Sequence, residues 1–165
     1  MKKIIIAVLA ALLLFPVATN AQSRRGRTAR RQTVTSNLTP LERKVVGKHL
    51  LSLQWISWDY YGTCNITKQK NGTLLCKGEQ LSRGDDSHIG DYLKIDGTIR
   101  IVSALELEFT GTIRTKIYHI NNGDEVVREG TFTFLSTQGR KYWRLQQMEN
   151  PVDECVDYVD IYFKK

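Results

Sequence analysis

From Val45 onward the chain alternates apolar and polar residues with a period of two, broken at short intervals by Gly, Asn, Asp and Ser. That is the pattern of half-buried strands joined by turns. The clearest run is Leu105 to His119. Leu105, Leu107, Phe109, Ile113 and Ile117 fall on one face, and Glu106, Glu108, Thr110, Thr112, Arg114 and Lys116 fall on the other. Such segregation fits a strand with one dry and one wet side, and fits an amphipathic helix poorly. After Asn121-Asn122-Gly123-Asp124, a turn suited to positive φ, the pattern returns with Val126, Phe132 and Phe134 against Glu125, Glu129 and Thr131.

Applied throughout, this reading predicts strands near 47–57, 59–69, 73–81, 91–96, 98–102, 105–119, 125–136, 141–147 and 157–163. Short connections with no helical stretch between them predict that sequence neighbours pair. The expected fold is all-β: an antiparallel meander closing into a small up-and-down barrel of the lipocalin or avidin kind, since closure removes exposed strand edges. A β-sandwich is the alternative.

The first 44 residues depart from this pattern. Lys2 and Lys3 precede twelve apolar residues, Ile4 to Phe15, then Pro16 and small residues leading to Ala21. This reads as a secretory signal peptide cleaved before Gln22; the apolar run is shorter than the roughly 20 residues of a membrane-spanning helix, which makes a retained anchor the weaker alternative. Residues 22–44 read as a basic, solvated linker. Within it, Thr39-Pro40-Leu41-Glu42 has the form of a helix start, with Thr39 as cap and Glu42 three residues on. Residues 45–165 form a single β domain in this division.

Charge then changes the picture. The net formal charge is +7, yet Gln22 to Lys44 holds seven basic residues against the single Glu42, while Val45 onward holds 15 basic and 16 acidic residues. The basicity belongs to the linker and the domain is nearly neutral, so a nucleic-acid partner is not expected. The Arg24 to Arg31 cluster is suited to peripheral contact with an anionic envelope surface, or serves as a charged leader without a partner.

Of the three cysteines, Cys64 and Cys76 flank the Asn71-Gly72 turn. A two-residue loop there places them on opposite faces of the sheet; a three-residue loop places them on one face, where a disulfide can form in an oxidising compartment. Cys155 lies among carboxylates, which disfavour its thiolate, and reads as structural.

Candidate chemistry is sparse. Trp55, Trp58, Tyr60 and Tyr61, with Trp143, are the candidate ligand-binding residues, as aromatics that line a cavity or stack on a ligand; filling the barrel is the competing role. Read as strand, 55–61 places Trp55 and Tyr61 on one face and Trp58 and Tyr60 on the other. The segment from Ser82 to Asp91 is oxygen-rich at Asp85, Asp86, Ser87 and Asp91 but lacks the ligand spacing of a calcium loop. His49, His88 and His119 have no metal-ligand spacing. No nucleophile elbow, phosphate loop or dinucleotide fingerprint is present, and no catalytic residue, metal or cofactor is assigned.

Three sets of residues carry a family resemblance: Trp55-Ile56-Ser57-Trp58-Asp59-Tyr60-Tyr61-Gly62, Lys77-Gly78-Glu79-Gln80 with Asp91 to Gly97, and Arg140 to Pro151 with Asp157 to Phe163. They resemble a family of small exported bacterial β proteins of unknown function, which implies no catalytic residues. A weaker likeness to the lipocalins rests on Gly47-Lys48-His49, at the place of a first-strand Gly-x-Trp whose tryptophan it lacks. The function expected is that of an exported, periplasmic or secreted, non-enzymatic binding protein. It holds a small apolar or amphipathic ligand in the barrel, or meets a cell-envelope macromolecule on its surface. The alternatives are an outer-membrane β-barrel, or a small hydrolase or isomerase using Asp59, Glu79, Asp91 or His88.

Overall fold

The computed structural model describes residues 38–83 and 88–164. The expected signal peptide at 1–21, the arginine cluster and residues 84–87 of the polar loop lie outside the described residues. A short helix α1 (Pro40–Val45) precedes eight strands: β1 (Gly47–Leu53), β2 (Gly62–Lys68), β3 (Leu74–Leu81), β4 (Tyr92–Ile101), β5 (Glu106–Lys116), β6 (Val126–Leu135), β7 (Tyr142–Leu145) and β8 (Val159–Tyr162). Each strand pairs antiparallel with the next, and β8 returns to β1, giving a closed up-and-down barrel. The sandwich alternative is thereby set aside.

Alternation decides which side chains enter. On β5, Leu107, Phe109, Ile113 and Thr115 are buried while Glu108, Arg114 and Lys116 face outward. Phe109 meets Phe132 and Phe134 at centroid separations of 6.2 and 6.1 Å. Leu51, Leu53, Ile66, Leu93, Ile95, Trp143, Leu145 and Ile161 complete a core to which all eight strands contribute.

Outside, charges pair across strands: Lys77 with Asp96 at 2.8 Å, Lys94 with Glu79 at 3.2 Å, and Arg100 with both carboxylate oxygens of Glu108 at 2.8 and 2.6 Å. Charge outside and hydrocarbon inside is the reverse of an outer-membrane barrel, whose outward band is apolar.

Three expectations are corrected. The runs at 91–96 and 98–102 form one strand, because Gly97 is not a break but lies in register with Gly111, which in turn faces Gly130. A Cβ on Gly97 would lie 2.8 Å from a Phe109 ring carbon and 2.3 Å from the Thr110 carbonyl oxygen, so the ring takes the space of a side chain. Second, residues 54–61 are a loop, not the end of one strand and the start of another. Ile56 N donates to the Leu53 carbonyl at 3.1 Å, and Ser57 Oγ accepts from Asp59 N at 3.0 Å and Tyr60 N at 3.3 Å, a local turn that competes with ladder bonding. The expected two-face arrangement of Trp55 to Tyr61 therefore does not exist. Third, β8 begins at Val159 and β7 spans only four residues, so 146–158 is a long connection.

The two barrel ends differ. One carries short turns and α1, whose capping box joins Glu42 N to Thr39 Oγ1 at 3.2 Å and Thr39 N to Glu42 Oε2 at 2.7 Å. Val45 of α1 is buried, and the interior His49 ring bridges to the carbonyls of Val45 and Tyr162 at 2.6 and 2.8 Å. The other end carries the four longer connections, 54–61, 82–91, 117–125 and 146–158. Phe109→Ala is expected to destabilise the barrel by about 3–5 kcal/mol through cavity formation. Val127→Ala, on the outer wall, is expected to stay within about 0.5 kcal/mol of the parent, and urea titration of parent and both variants checks the two outcomes.

Candidate functional site

The loop end is held together by side chains that leave the core to bind backbone. Gln80, buried on β3, accepts from Leu53 N at 2.7 Å and donates to the Tyr60 carbonyl at 3.1 Å, which fixes the 54–61 loop. Gln54 donates to the Val156 carbonyl at 2.5 Å and accepts from Tyr158 N at 2.7 Å, clamping that loop to the 146–158 connection. Asn121 N donates to Asp153 Oδ2 at 3.3 Å, and Tyr118 N donates to Asp91 Oδ1 at 2.9 Å. All four loops are thus tied into one surface.

Beneath it lies a buried polar layer. Asp157 accepts from Trp55 Nε1 at 3.1 Å and from Asn150 Nδ2 at 3.0 Å, and its Oδ2 is 3.9 Å from Arg128 Nη1. Burial pushes the Asp157 carboxyl up, against the pull of these partners, and burial likewise lowers the Arg128 guanidinium. Arg128 Nη2 donates to the Gln147 carbonyl, while Nη1 has no hydrogen-bond partner among the described residues. Asp91, whose Oδ2 is likewise unpartnered, has its carboxyl raised by burial; the Tyr118 amide and nearby His88, His119 and Lys116 pull the other way.

Above this layer, aromatic rings join the loops. His88 stacks on Tyr118 at 3.7 Å, and His119 meets Tyr118 at 4.6 Å and Trp55 at 5.5 Å. Each of the four loops carries an exposed apolar side chain here, Trp58 at 62%, Ile89 at 73%, Tyr118 at 53% and Val152 at 53%, whereas the opposite end exposes Val102 and Leu105 on one turn.

The five candidate ligand-binding residues do not line one cavity. Trp143 is in the core, with its indole N–H directed to the Ala104 carbonyl at 3.3 Å and its ring 4.4 Å from Phe163, so it has no face for a ligand. Trp55 is half-buried against Asp157. Trp58 points to solvent. Tyr60 lies under the Arg83 guanidinium, 3.9 Å from its centroid, and Tyr61 meets Tyr162 at 4.9 Å on the outer wall. Two concavities lie outside the barrel core, about 350 Å³ within the 146–158 connection around Asn150 and Cys155, and about 420 Å³ on the outer face of β2–β5. Cys64 and Cys76 both face inward with sulphurs 3.2 Å apart.

Of the carboxylates considered for acid–base chemistry, Glu79 sits on the outer wall beside Lys94 and Asp59 on an exposed turn. Only Asp91 and His88 approach one another. The network of Arg128, Asn150 and Asp157 has no signal in sequence spacing. Arg128 occupies a core-facing strand position opposite Ile113, and that charge in an apolar stripe is the one clue.

Asp91 gives a pH dependence of defined sign. Its folded-state pKa lies above the ordinary carboxyl value of 3.8, so the folded chain holds the proton more tightly than the unfolded chain. Stability from this group is full below the ordinary value and is lost as pH rises to the raised one. Asp91→Asn keeps the acceptor for Tyr118 and removes the charge. Urea midpoints of parent and variant are expected to diverge in the variant's favour as pH climbs through that window to neutrality; parallel midpoints would show that Asp91 does not titrate with folding.

No solved structure matches the chain, and the lipocalin likeness gains no support from that quarter. A protein of Pasteurella multocida (strain Pm70), called uncharacterized protein PM1083, is 39% identical over 163 residues, covering 99% of this chain and 96% of the relative. The PM1083 family model matches residues 27–163, the whole barrel with α1 and part of the linker. The chain belongs to the PM1083 family.

Proposed function

We propose that this protein is an exported, non-enzymatic binding protein that meets a protein partner of the cell envelope through the loop end of its barrel. The observation that carries this reading is the segregation of apolar side chains. Inside, Phe109, Phe134, Trp143 and a ring of aliphatic residues occupy the space where a lipocalin-type ligand would sit. Outside, Trp58, Ile89, Tyr118 and Val152 are left in water on four tethered loops, although burying any one of them would be worth about 1.5–3 kcal/mol.

Clustered exposed aromatic and aliphatic residues with a polar rim are the composition of a protein–protein contact core. The run Ile4–Phe15 behind Lys2 and Lys3 supports export, and the arginines from Arg24 to Arg31 support peripheral attraction to the anionic envelope while the barrel docks.

The test is site-specific photo-crosslinking in cells that express the full chain. A photoreactive residue at 58 or 118 is expected to give one discrete protein adduct, and one at 94 on the outer wall none. The triple variant Trp58→Ala, Ile89→Ser, Tyr118→Ala, carrying the crosslinker at 152, should lower adduct yield about tenfold or more. Equal adducts from wall and loop end would overturn the loop-end reading, as would no adduct together with a small molecule that co-purifies in the native mass spectrum.

A further inference from the structure

The β2–β3 hairpin turns through Lys70-Asn71-Gly72. Gln69 N donates to the Thr73 carbonyl at 2.8 Å, Thr73 N donates to Asn71 Oδ1 at 3.1 Å, and Gly72 takes φ of +89°. Of the two loop lengths open to the sequence, this is the three-residue one, and the one-residue difference in register puts Cys64 and Cys76 on the same, inner face.

Cys64 stands opposite Gly78 and Cys76 opposite Ile66, so the cysteines are diagonal neighbours. Gly78 opens the space between them. A Cβ at that position would lie 3.1 Å from the Cβ of Cys64 and 2.9 Å from side-chain carbons of Leu51 and Ile95. The sulphurs are 3.2 Å apart, and a disulfide needs about 2.05 Å, a closure within reach of small side-chain rotations.

We propose that Cys64 and Cys76 form an intramolecular disulfide that staples the β2–β3 hairpin inside the barrel and leaves Cys155 as the thiol. The source of oxidant rests on the export reading. The oxidant is a disulfide of the thiol–disulfide exchange class, borne by an oxidoreductase or a small thiol compound. One cysteine thiolate attacks it, forming a mixed disulfide and expelling one oxidant thiolate. The second cysteine, as thiolate, then attacks the mixed disulfide and expels the other. Two S–H bonds are lost, one S–S bond forms, the oxidant's S–S bond breaks to a dithiol on the oxidoreductase or to two molecules of the small thiol, which carry both electrons, and the two cysteine protons pass to them through solvent.

The order of events follows from burial. Both cysteines are fully buried in the closed barrel, where the Cys64 contact and then burial push the Cys76 thiol well up. Exchange therefore precedes closure, at the stage of an open hairpin, and the twelve-residue separation makes this contact a local and early one. Cys155 lies elsewhere, on the 146–158 connection, its thiol raised by burial and by Asp157 and Asp153.

The test uses the full chain expressed in its own exporting host, denatured with a thiol-alkylating reagent present. One alkylated residue, Cys155, and a mass short by two hydrogens are expected, with the bridge mapping to the peptides of Cys64 and Cys76; three labels appear only after reduction. An exported chain with three labelled cysteines, or a bridge to Cys155, overturns the proposal. If the chain is retained in the cytosol the export reading fails by itself, and the hairpin is then tested by refolding purified chain in a mixture of oxidised and reduced glutathione. A 64–76 bridge supports the proposal there too, and a refolded barrel with three free thiols overturns it.

Discussion

The barrel closes through very little backbone. Only Leu51 with Ile161, Ser52 with Asp160 and Leu53 with Val159 pair across the β1–β8 seam, and β7 meets β8 over three positions, against ten between β4 and β5. So short a seam would fray without side chains to hold it. Arg144 grips both oxygens of Asp160 at 2.8 and 2.7 Å, and the pair is shielded from water by Tyr142 and Tyr158, over whose rings the guanidinium lies at 5.1 and 4.2 Å. The Asp160 contact holds the Arg144 proton more firmly than usual. The paired charges sit on the outer face and are largely buried, so losing one partner would leave the other desolvated. Gln54 anchors the backbone just before β8, and the Lys164 ammonium just after it reaches the Arg43 and Val46 carbonyls around α1.

From this seam the difference between the ends follows. Because β7 and β8 are short while β4, β5 and β6 are long, the wall is low on one side, and residues 146–158 must cross the gap. A connection that crosses a barrel mouth carries backbone amides and carbonyls into partly dry surroundings, and each needs a partner. Arg128 supplies one to the Gln147 carbonyl, Asn150 Oδ1 accepts from Val152 N at 3.1 Å, and Gln54 serves the Val156 carbonyl and Tyr158 N, while Asp157 holds the Asn150 amide in place. The polar layer is thus first a solution to closure, and the aromatic loops stand on a base that this layer makes rigid.

The degree to which this was readable from sequence depends on where a residue sits along its strand. Leu107 to Lys116 is legible because Leu107, Phe109 and Ile113 lie in hydrocarbon while the charged side chains between them reach water, and alternation is the imprint of that choice; Leu105, expected on the dry face, precedes β5 and is 53% exposed. At 54–61 alternation persists by coincidence: four aromatics in a row of eight satisfy a strand pattern, while the Ser57 hydroxyl redirects the backbone into a turn. Gly97 misleads in the other direction, since a glycine that makes room for the Phe109 ring looks the same in sequence as one that ends a strand. The cysteine faces turned on one residue of loop length, which Asn-Gly leaves undecided. The candidate ligand residues have aromaticity in common, a property of the buried Trp143 and the exposed Trp58 alike; only closure of the barrel separates them.

A filled interior constrains what evolution can vary. Changing a residue such as Phe109 alters packing against two neighbouring strands at once, whereas changing Trp58 or Ile89 alters little but the face presented to solvent. In a barrel with a ligand cavity, recognition and stability draw on the same inward positions and compete for them. Here inward positions serve closure and packing, outward wall positions serve hydration through weak cross-strand ion pairs, and the loops of one end carry Trp58, Ile89, Tyr118 and Val152 into solvent. The separation is bought with the buried charges of Asp91, Asp157 and Arg128, which hold the loops in place at a cost in desolvation that an apolar mouth would not incur. Part of that cost is offset by the loop backbone groups these side chains satisfy, and what it leaves is a set of loops held in one arrangement, the property a recognition surface would need.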